Sequence, residues 1–300
     1  HMEPDHSSNI LAFSEKYKDA KIVSSLRAFQ MMKNYFGTDF QDRQVVVKEG
    51  DVLPLGKHNL SFIAAPMVHW PEVIMTYDDF DKVLFSADAF GKFGALDTDE
   101  DWACEARRYY FGIVGKYGAQ VQSVLKKAAA LDIKIIFENI PYYLNLYDIW
   151  SSYGVESDGV VIAYTSVYGH TEKAVNLLKA ELENKGVKVP VFDLARCDMA
   201  EAVEDAFRYG KLVLATTTYN GDIFPFMKTF IEHLVERNFQ NRTVGFIENG
   251  SWAPQASRIM RGMLEQQKNL TLLDADVKIY SAVSDKNVAE IQALANALLQ

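Results

Sequence analysis

The chain has 300 residues, 49% hydrophobic and 24% charged, with a net charge of −9 when histidine is neutral. That length suits two domains, and the excess of acid leaves no basic stripe to neutralise the phosphates of a nucleic acid. No apolar run is long enough to cross a bilayer as a helix. Cys104 and Cys197 lie far apart outside any CxxC pattern, which excludes a disulfide framework and a thiolate metal knot. A reducing, cytoplasmic setting and no membrane partner are expected. Each cysteine reads as a small buried hydrophobe.

In chain order, residues 9–17 and 25–36 read as helices, and 44–48, 60–64, 73–77 and 82–86 as strands, from their β-branched and aromatic content. Residues 101–116 and 118–131 read as helices, 133–137 as a buried strand, and 142–153 as an aromatic-rich helix ending near Gly154. There the chain changes character. Strands 159–164, 189–194, 211–217, 243–248 and 277–281 alternate with helical patterns such as 171–184 and 288–299. This alternation predicts an open, doubly wound parallel sheet that binds its ligand at the carboxyl ends of the strands. Two domains are expected, 1–154 and 155–300.

The first residues, His1-Met2-Glu3-Pro4-Asp5-His6, place four imidazole and carboxylate donors on a short loop. These are ligands for zinc, iron or manganese, and no soft sulfur is offered. His69 and Asp88 each follow a predicted strand, where a rigid element delivers a side chain to a loop rim. Residues 7–68, 62 in all, separate His6 from His69, and residues 70–87, 18 in all, separate His69 from Asp88. Taken singly, a His or Asp at such a place is an ordinary capped or hydrogen-bonded polar residue.

In the second half, Tyr164-Thr165-Ser166-Val167-Tyr168-Gly169-His170-Thr171 joins the first strand to its helix. Hydroxyls and successive backbone N–H groups at a helix N-terminus make an anion cradle. The spacing is neither GxGxxG nor GxxxxGK[ST]. The third strand ends in Thr218-Tyr219-Asn220-Gly221 and the fourth runs into Ser251-Trp252-Ala253. Two aromatic rings there can sandwich a planar ligand, with backbone groups of Gly221 and Ala253 on its polar edge.

The metal pattern resembles H-x-[HE]-x-D-H, His, Asp of the metallo-β-lactamase superfamily, with the glutamate and both long spacings of flavodiiron proteins. The anion loop resembles the phosphate loop of flavodoxins, [TS]-x-[ST]-x-[YWFM]-G-[NH]-T. The resemblance covers essentially the whole chain, including Tyr153-Gly154 at the junction and the run Asp222-Ile223-Phe224-Pro225. It implies an α/β chain: a metallo-β-lactamase-like αββα domain followed by a flavodoxin-like FMN domain. It also implies two iron ions, one held by His1, Glu3 and His69, the other by Asp5 and His6, with Asp88 bridging. FMN would be held by Thr165–Thr171, Thr218–Gly221 and Ser251–Ala253. A carboxylate at Glu3, where the zinc hydrolases place His, favours a redox metal. The activity implied is reduction of dioxygen to water or of nitric oxide to nitrous oxide. With no CxxC for an attached rubredoxin domain, electrons are expected from a separate rubredoxin or similar small carrier. A head-to-tail homodimer, or a dimer of dimers, is expected to bring one chain's flavin to the other's irons. A zinc hydrolase and a flavodoxin-type electron carrier are the rival readings. The first leaves the FMN domain unexplained, and the second the spacing of six metal-type ligands.

Two departures stand out. The family has strands before the metal motif, and its last histidine ligand, from a loop resembling Pro-x-His-Gly-Pro, has no match after the strand at 133–137. We therefore expect the chain to be a piece of a longer one. We also expect a discontinuity near Phe137–Glu138, where successive Cα atoms would lie farther apart than about 3.8 Å. Of the remaining histidines, His58 reads as an exposed turn residue, His170 as part of the phosphate loop and His233 as structural.

Overall fold

A computed structural model describes residues 1–95, 97, 99, 101–136 and 140–300. The chain forms two compact units, His1–Ala106 with Tyr117–Ser152, and Arg107–Lys116 with Tyr153–Gln300.

The first unit opens on the short helix α1 (Pro4–Ser7), then α2 (Ile10–Lys16), β1 (Ile22–Ser24) and α3 (Leu26–Phe36). Ser25 caps α3 by accepting the Ala28 N–H, and Gly37 ends it in the left-handed region that a residue lacking Cβ adopts without strain. The buried face of α3, Ala28, Phe29 and Met32, closes a core with Met2 and Phe40. Strand β2 (Gln44–Val46) pairs in parallel with β1. The strands β3 (Val52–Leu55), β4 (His58–Ala64), β5 (Ile74–Asp78) and β6 (Val83–Phe85) form an antiparallel sheet in sequence order. Helix α4 (Trp102–Tyr109) follows, and α5 (Gly118–Ala128) and α6 (Ile140–Ser151) complete the series before the second sheet.

Three expectations need correction. The helix expected over 101–116 is interrupted: α4 passes into a π turn at Tyr110–Val114 and a 3-10 turn at Gly115–Tyr117. Gly112 and Gly115 lie in that stretch, where glycine weakens a regular helix. The strand expected over 133–137 is only an isolated bridge of Ile135 to Val83 among the described residues, and Ile135 is 57% exposed. An apolar run without alternation suggested burial, but the segment lies along the sheet edge, held by Lys134 N–H on the Lys82 carbonyl and Leu84 N–H on the Ile135 carbonyl. Both cysteines are partly exposed rather than buried. The expected discontinuity at Phe137–Glu138 lies outside the described residues. The strands β1 and β3 escaped the sequence reading; each is three or four residues long, and β3 carries Pro54.

The second unit continues with β7 (Ser157–Tyr164), α7 (His170–Glu183), β8 (Val191–Asp193), α8 (Met199–Arg208) and β9 (Tyr209–Tyr219). It ends with β10 (Asp222–Ile223), α9 (Pro225–Glu236), β11 (Thr243–Asn249), α10 (Ala256–Leu264), β12 (Thr271–Leu272), β13 (Val277–Ile279) and α11 (Asp285–Leu298). The sheet order is β12-β11-β9-β7-β8, with β13 also on β11 in parallel and β10 antiparallel to β9. Val160, Ile162, Val213 and Ile247 are fully buried with Leu178 and Leu294 of the covering helices. Such near-continuous apolar strands are what a sheet covered on both faces requires. Arg107, within the segment that belongs to this unit, donates to both oxygens of Glu156 at 2.6 Å, and Phe111 stacks on Phe207 at 4.3 Å. Among the described residues no helix is long and apolar enough to cross a membrane.

Candidate metal centre and flavin site

The first cluster is assembled by strand ends around a buried anchor. The Met2 side chain enters the α3 core, and Glu3 is extended. Side chains alternate along extended chain, so His1 and Glu3 turn together away from the core. Pro4 fixes the first turn of α1, which carries Asp5 and His6. His69 arrives on the loop between β4 and β5, and Asp88 just beyond β6.

His1 Nε2 lies 3.0 Å from Asp88 Oδ2 and 3.3 Å from Glu3 Oε2. His69 Nε2 lies 3.1 Å from the same Glu3 oxygen and 3.2 Å from Asp88 Oδ2. The other Asp88 oxygen, Oδ1, faces His6 Nε2 at 2.9 Å, and Asp5 Oδ2 stands 3.6 Å from that imidazole. One carboxylate thus addresses two donor sets. The donor atoms of His1, Glu3, His69 and Asp88 all lie within 4.8 Å of one another, and so do those of His1, Asp5 and His6. His1 and Asp88 are enclosed and His69 nearly so, whereas Glu3 and His6 are partly exposed and Asp5 is open to solvent. Trp70 walls the enclosed side, its ring 6.0 Å from His1 and 6.4 Å from His69.

Burial pulls the His1 pKa down, but the hydrogen bond and charge of Asp88, with Glu3 and Glu72, outweigh it and leave it above its ordinary value. Burial likewise pushes Asp88 up, and the bond to His1 with the charges of His1, His6 and His69 brings it below the usual carboxylate range.

The second site lies at the carboxyl ends of β7, β9 and β11. Its cavity, of about 750 Å³, is lined by Ser166, Val167, Tyr168, His170 and Thr171, by Thr218, Tyr219, Asn220 and Gly221, and by Ser251, Trp252 and Ala253. Two expected residues are not part of this lining. Thr165 is buried and shares a hydrogen bond with Thr216, and Gly169 takes φ 84 to turn the loop into α7. Ser166 Oγ accepts the N–H groups of Gly169 at 3.1 Å and Glu172 at 3.3 Å. Tyr168 and Trp252 are each 90% exposed and Tyr219 is half-exposed. Rings so exposed around a cavity are surfaces for a planar ligand to cover. Gly221, at φ 73, has open space where a Cβ would be.

Sequence reasoning passed over Thr217, Asn249, Gln255 and Ser281, which also line this cavity. Asn249, the last residue of β11, reaches Thr171 Oγ1 at 3.4 Å, donates to the Ser281 carbonyl and accepts the Ser281 N–H, so it ties the anion loop to the loop after β13. The Gln255 N–H donates to Thr218 Oγ1 at 2.8 Å and joins the two ring-facing loops. Their signal was available: each lies within a few residues of a strand's carboxyl end.

The family model described as "ODP family beta lactamase" matches residues 1–136, and the "Flavodoxin domain" model matches 161–276. The "Putative diflavin flavoprotein A 2" of Synechocystis sp. is 31% identical over 67% of this chain and 37% of its own length. The "Nitric oxide reductase" of Moorella thermoacetica is 28% identical over 89% of this chain and 71% of its own. The chain belongs to the flavodiiron protein family. Its fold matches that of rubredoxin oxygen:oxidoreductase from Desulfovibrio gigas with a TM-score of 0.90 at 22% identity, over 99% of this chain and 78% of that one. The chain thus spans from about a third to under three quarters of the length of the curated relatives named here.

Flavodiiron membership implies FMN and a non-haem di-iron centre, and the residues present fit both. Hard oxygen and imidazole donors converge with no thiolate among them. Among the described residues the buried His1 Nδ1 has no hydrogen-bond partner while Nε2 faces the carboxylates, as in an imidazole set to ligate through Nε2. At the second site, a cavity with exposed rings beside an amide-lined loop suits an aromatic phosphate ester.

Proposed function

We propose that the chain is a flavodiiron oxidoreductase that reduces dioxygen or nitric oxide with electrons delivered through FMN. His1, Glu3 and His69 would hold one iron, His6 and Asp5 the second, with Asp88 between them. The loops at Ser166–Thr171, Thr218–Gly221 and Ser251–Ala253 would hold FMN. The irons would supply substrate binding and reduction, and the flavin one- and two-electron exchange. The observation that carries the reading is the two-sided Asp88 carboxylate, because a mononuclear zinc hydrolase has no need of a second donor set.

The chain's own residues do the positioning. Trp70 stands beside the His1 ring and would limit water there, which would strengthen that donor's hold on a cation. Ser166 keeps the loop amides aligned for the phosphate. Trp252 and Tyr219 would cover the isoalloxazine ring. A separate rubredoxin-like donor and a head-to-tail homodimer belong to the same proposal.

To test it, FMN would be reduced anaerobically and the protein mixed with dioxygen or nitric oxide. Flavin reoxidation should outpace that of Asp88→Asn by at least about tenfold, the lower bound for losing a key metal-site group. Equal rates would refute the reading. Water or nitrous oxide as product names the substrate.

A further inference from the structure

His69-Trp70-Pro71-Glu72 ends in a carboxylate with no place in the ligand set. Glu72 is 4% exposed. Its Oε1 accepts the N–H of Met2 at 2.7 Å, and its backbone carbonyl accepts the hydroxyl of Ser25, the cap of α3. Glu72 therefore grips the one residue that separates His1 from Glu3. Its second oxygen, Oε2, is buried and has no hydrogen-bond partner among the described residues. Leaving a carboxylate oxygen so carries a desolvation cost that packing alone does not explain. The buried Nδ1 of His1 also has no partner, and the Glu72 charge is felt at that ring. The two groups are chemically complementary. A neutral imidazole that ligates through Nε2 must carry its proton on Nδ1, and the cation makes that N–H a better donor. A buried carboxylate is the strongest acceptor a protein can offer it.

The geometry points to Glu72 as the positioning residue of the metal centre: it sets the backbone at Met2 through Oε1 and takes the Nδ1 proton of metal-bound His1 in a hydrogen bond through Oε2. This rests on the metal-centre reading above, and Zn(II), diamagnetic and redox-silent, is the probe that separates the two. Glu72→Gln keeps the volume and the acceptor for Met2 but turns an NH2 group towards the His1 N–H. A merely structural Glu72 would tolerate that exchange.

In the full-length chain loaded with Zn(II), we expect a strongly downfield, slowly exchanging His1 Nδ1 proton by NMR. In Glu72→Gln it should be lost and Zn(II) affinity should fall about 10–100-fold, while Glu72→Asp, which keeps the charge, recovers part of it. A Gln variant within twofold of wild-type affinity and with the His1 proton signal intact would overturn the proposal. Should the Gln variant fail to fold, the wild-type spectrum decides alone: a fast-exchanging His1 proton with no downfield shift overturns it. A wild-type chain that takes up no Zn(II) sinks the metal centre itself, and this proposal with it.

Discussion

At the scale of single residues, Asp88 and Trp252 occupy opposite situations. Asp88 is buried, charged and surrounded by three imidazoles, so its role is electrostatic. Replacing it by Asn removes the charge that both donor sets share, and affinity at both metal positions should fall about 10–100-fold. Asp5→Ala should weaken only the more open one. The sets are also unequal. Among the described residues His1, Glu3 and His69 join Asp88 on one side and His6 and Asp5 stand on the other, and His58, the other histidine of this unit, is engaged with Asp78. Two-step uptake of Co(II) or Fe(II) in a calorimetric titration is the expected result; one class of equal sites would count against the assignment. Trp252, by contrast, presents an apolar ring to solvent. Trp252→Ala should weaken FMN binding by about 0.5–1.5 kcal/mol of ring stacking beyond lost area, read as a higher dissociation constant with metal content unchanged.

At the scale of elements, two polar devices fix loops that no hydrophobic pattern specifies. Arg242 is buried, and its guanidinium donates to the carbonyls of Tyr153, Gly154 and Phe207. Burial pushes its pKa down to about 10, so it stays charged at neutral pH. Arg242→Met should cost about 1–3 kcal/mol for each carbonyl left unpaired, measured by urea unfolding. The second device joins the start of β4 to the end of β5. His58 Nδ1 lies 2.6 Å from Asp78 Oδ2. That bond raises the His58 pKa. Burial acts to raise Asp78, but the bond to His58 outweighs it and leaves the pKa lowered. A raised histidine stabilises fully below about pH 6.5 and loses the effect as pH rises through its folded pKa; a lowered aspartate does so above about pH 4 and loses it as pH falls. The stability deficit of His58→Gln, followed by thermal unfolding, should therefore be largest near pH 5–6 and shrink towards pH 9. A deficit independent of pH would refute the ion pair. The sequence marked His58 only as an exposed turn residue, because its partner lies twenty residues away on another strand.

At the scale of the whole molecule, legibility followed the kind of force involved. The parallel sheet was plain because its central strands, buried on both faces, are apolar runs bounded by turn residues, as at Val160–Ala163. The grouping of His1, Glu3, His6, His69 and Asp88 was implied by the resemblance of their spacing to the flavodiiron pattern, since each residue taken singly reads as an ordinary polar side chain. What escaped was set by contacts distant in sequence: Asn249 between two loops, Glu72 on the backbone of Met2, and Arg107 on Glu156 across 49 residues. The 101–116 stretch misled because helical periodicity continues through the π turn.

If one chain carries two redox cofactors, metal analysis combined with the visible spectrum of the purified protein reads both at once. Iron at about two per chain together with flavin absorption is expected, as a di-iron flavoprotein requires. Stoichiometric zinc with no flavin would contradict it.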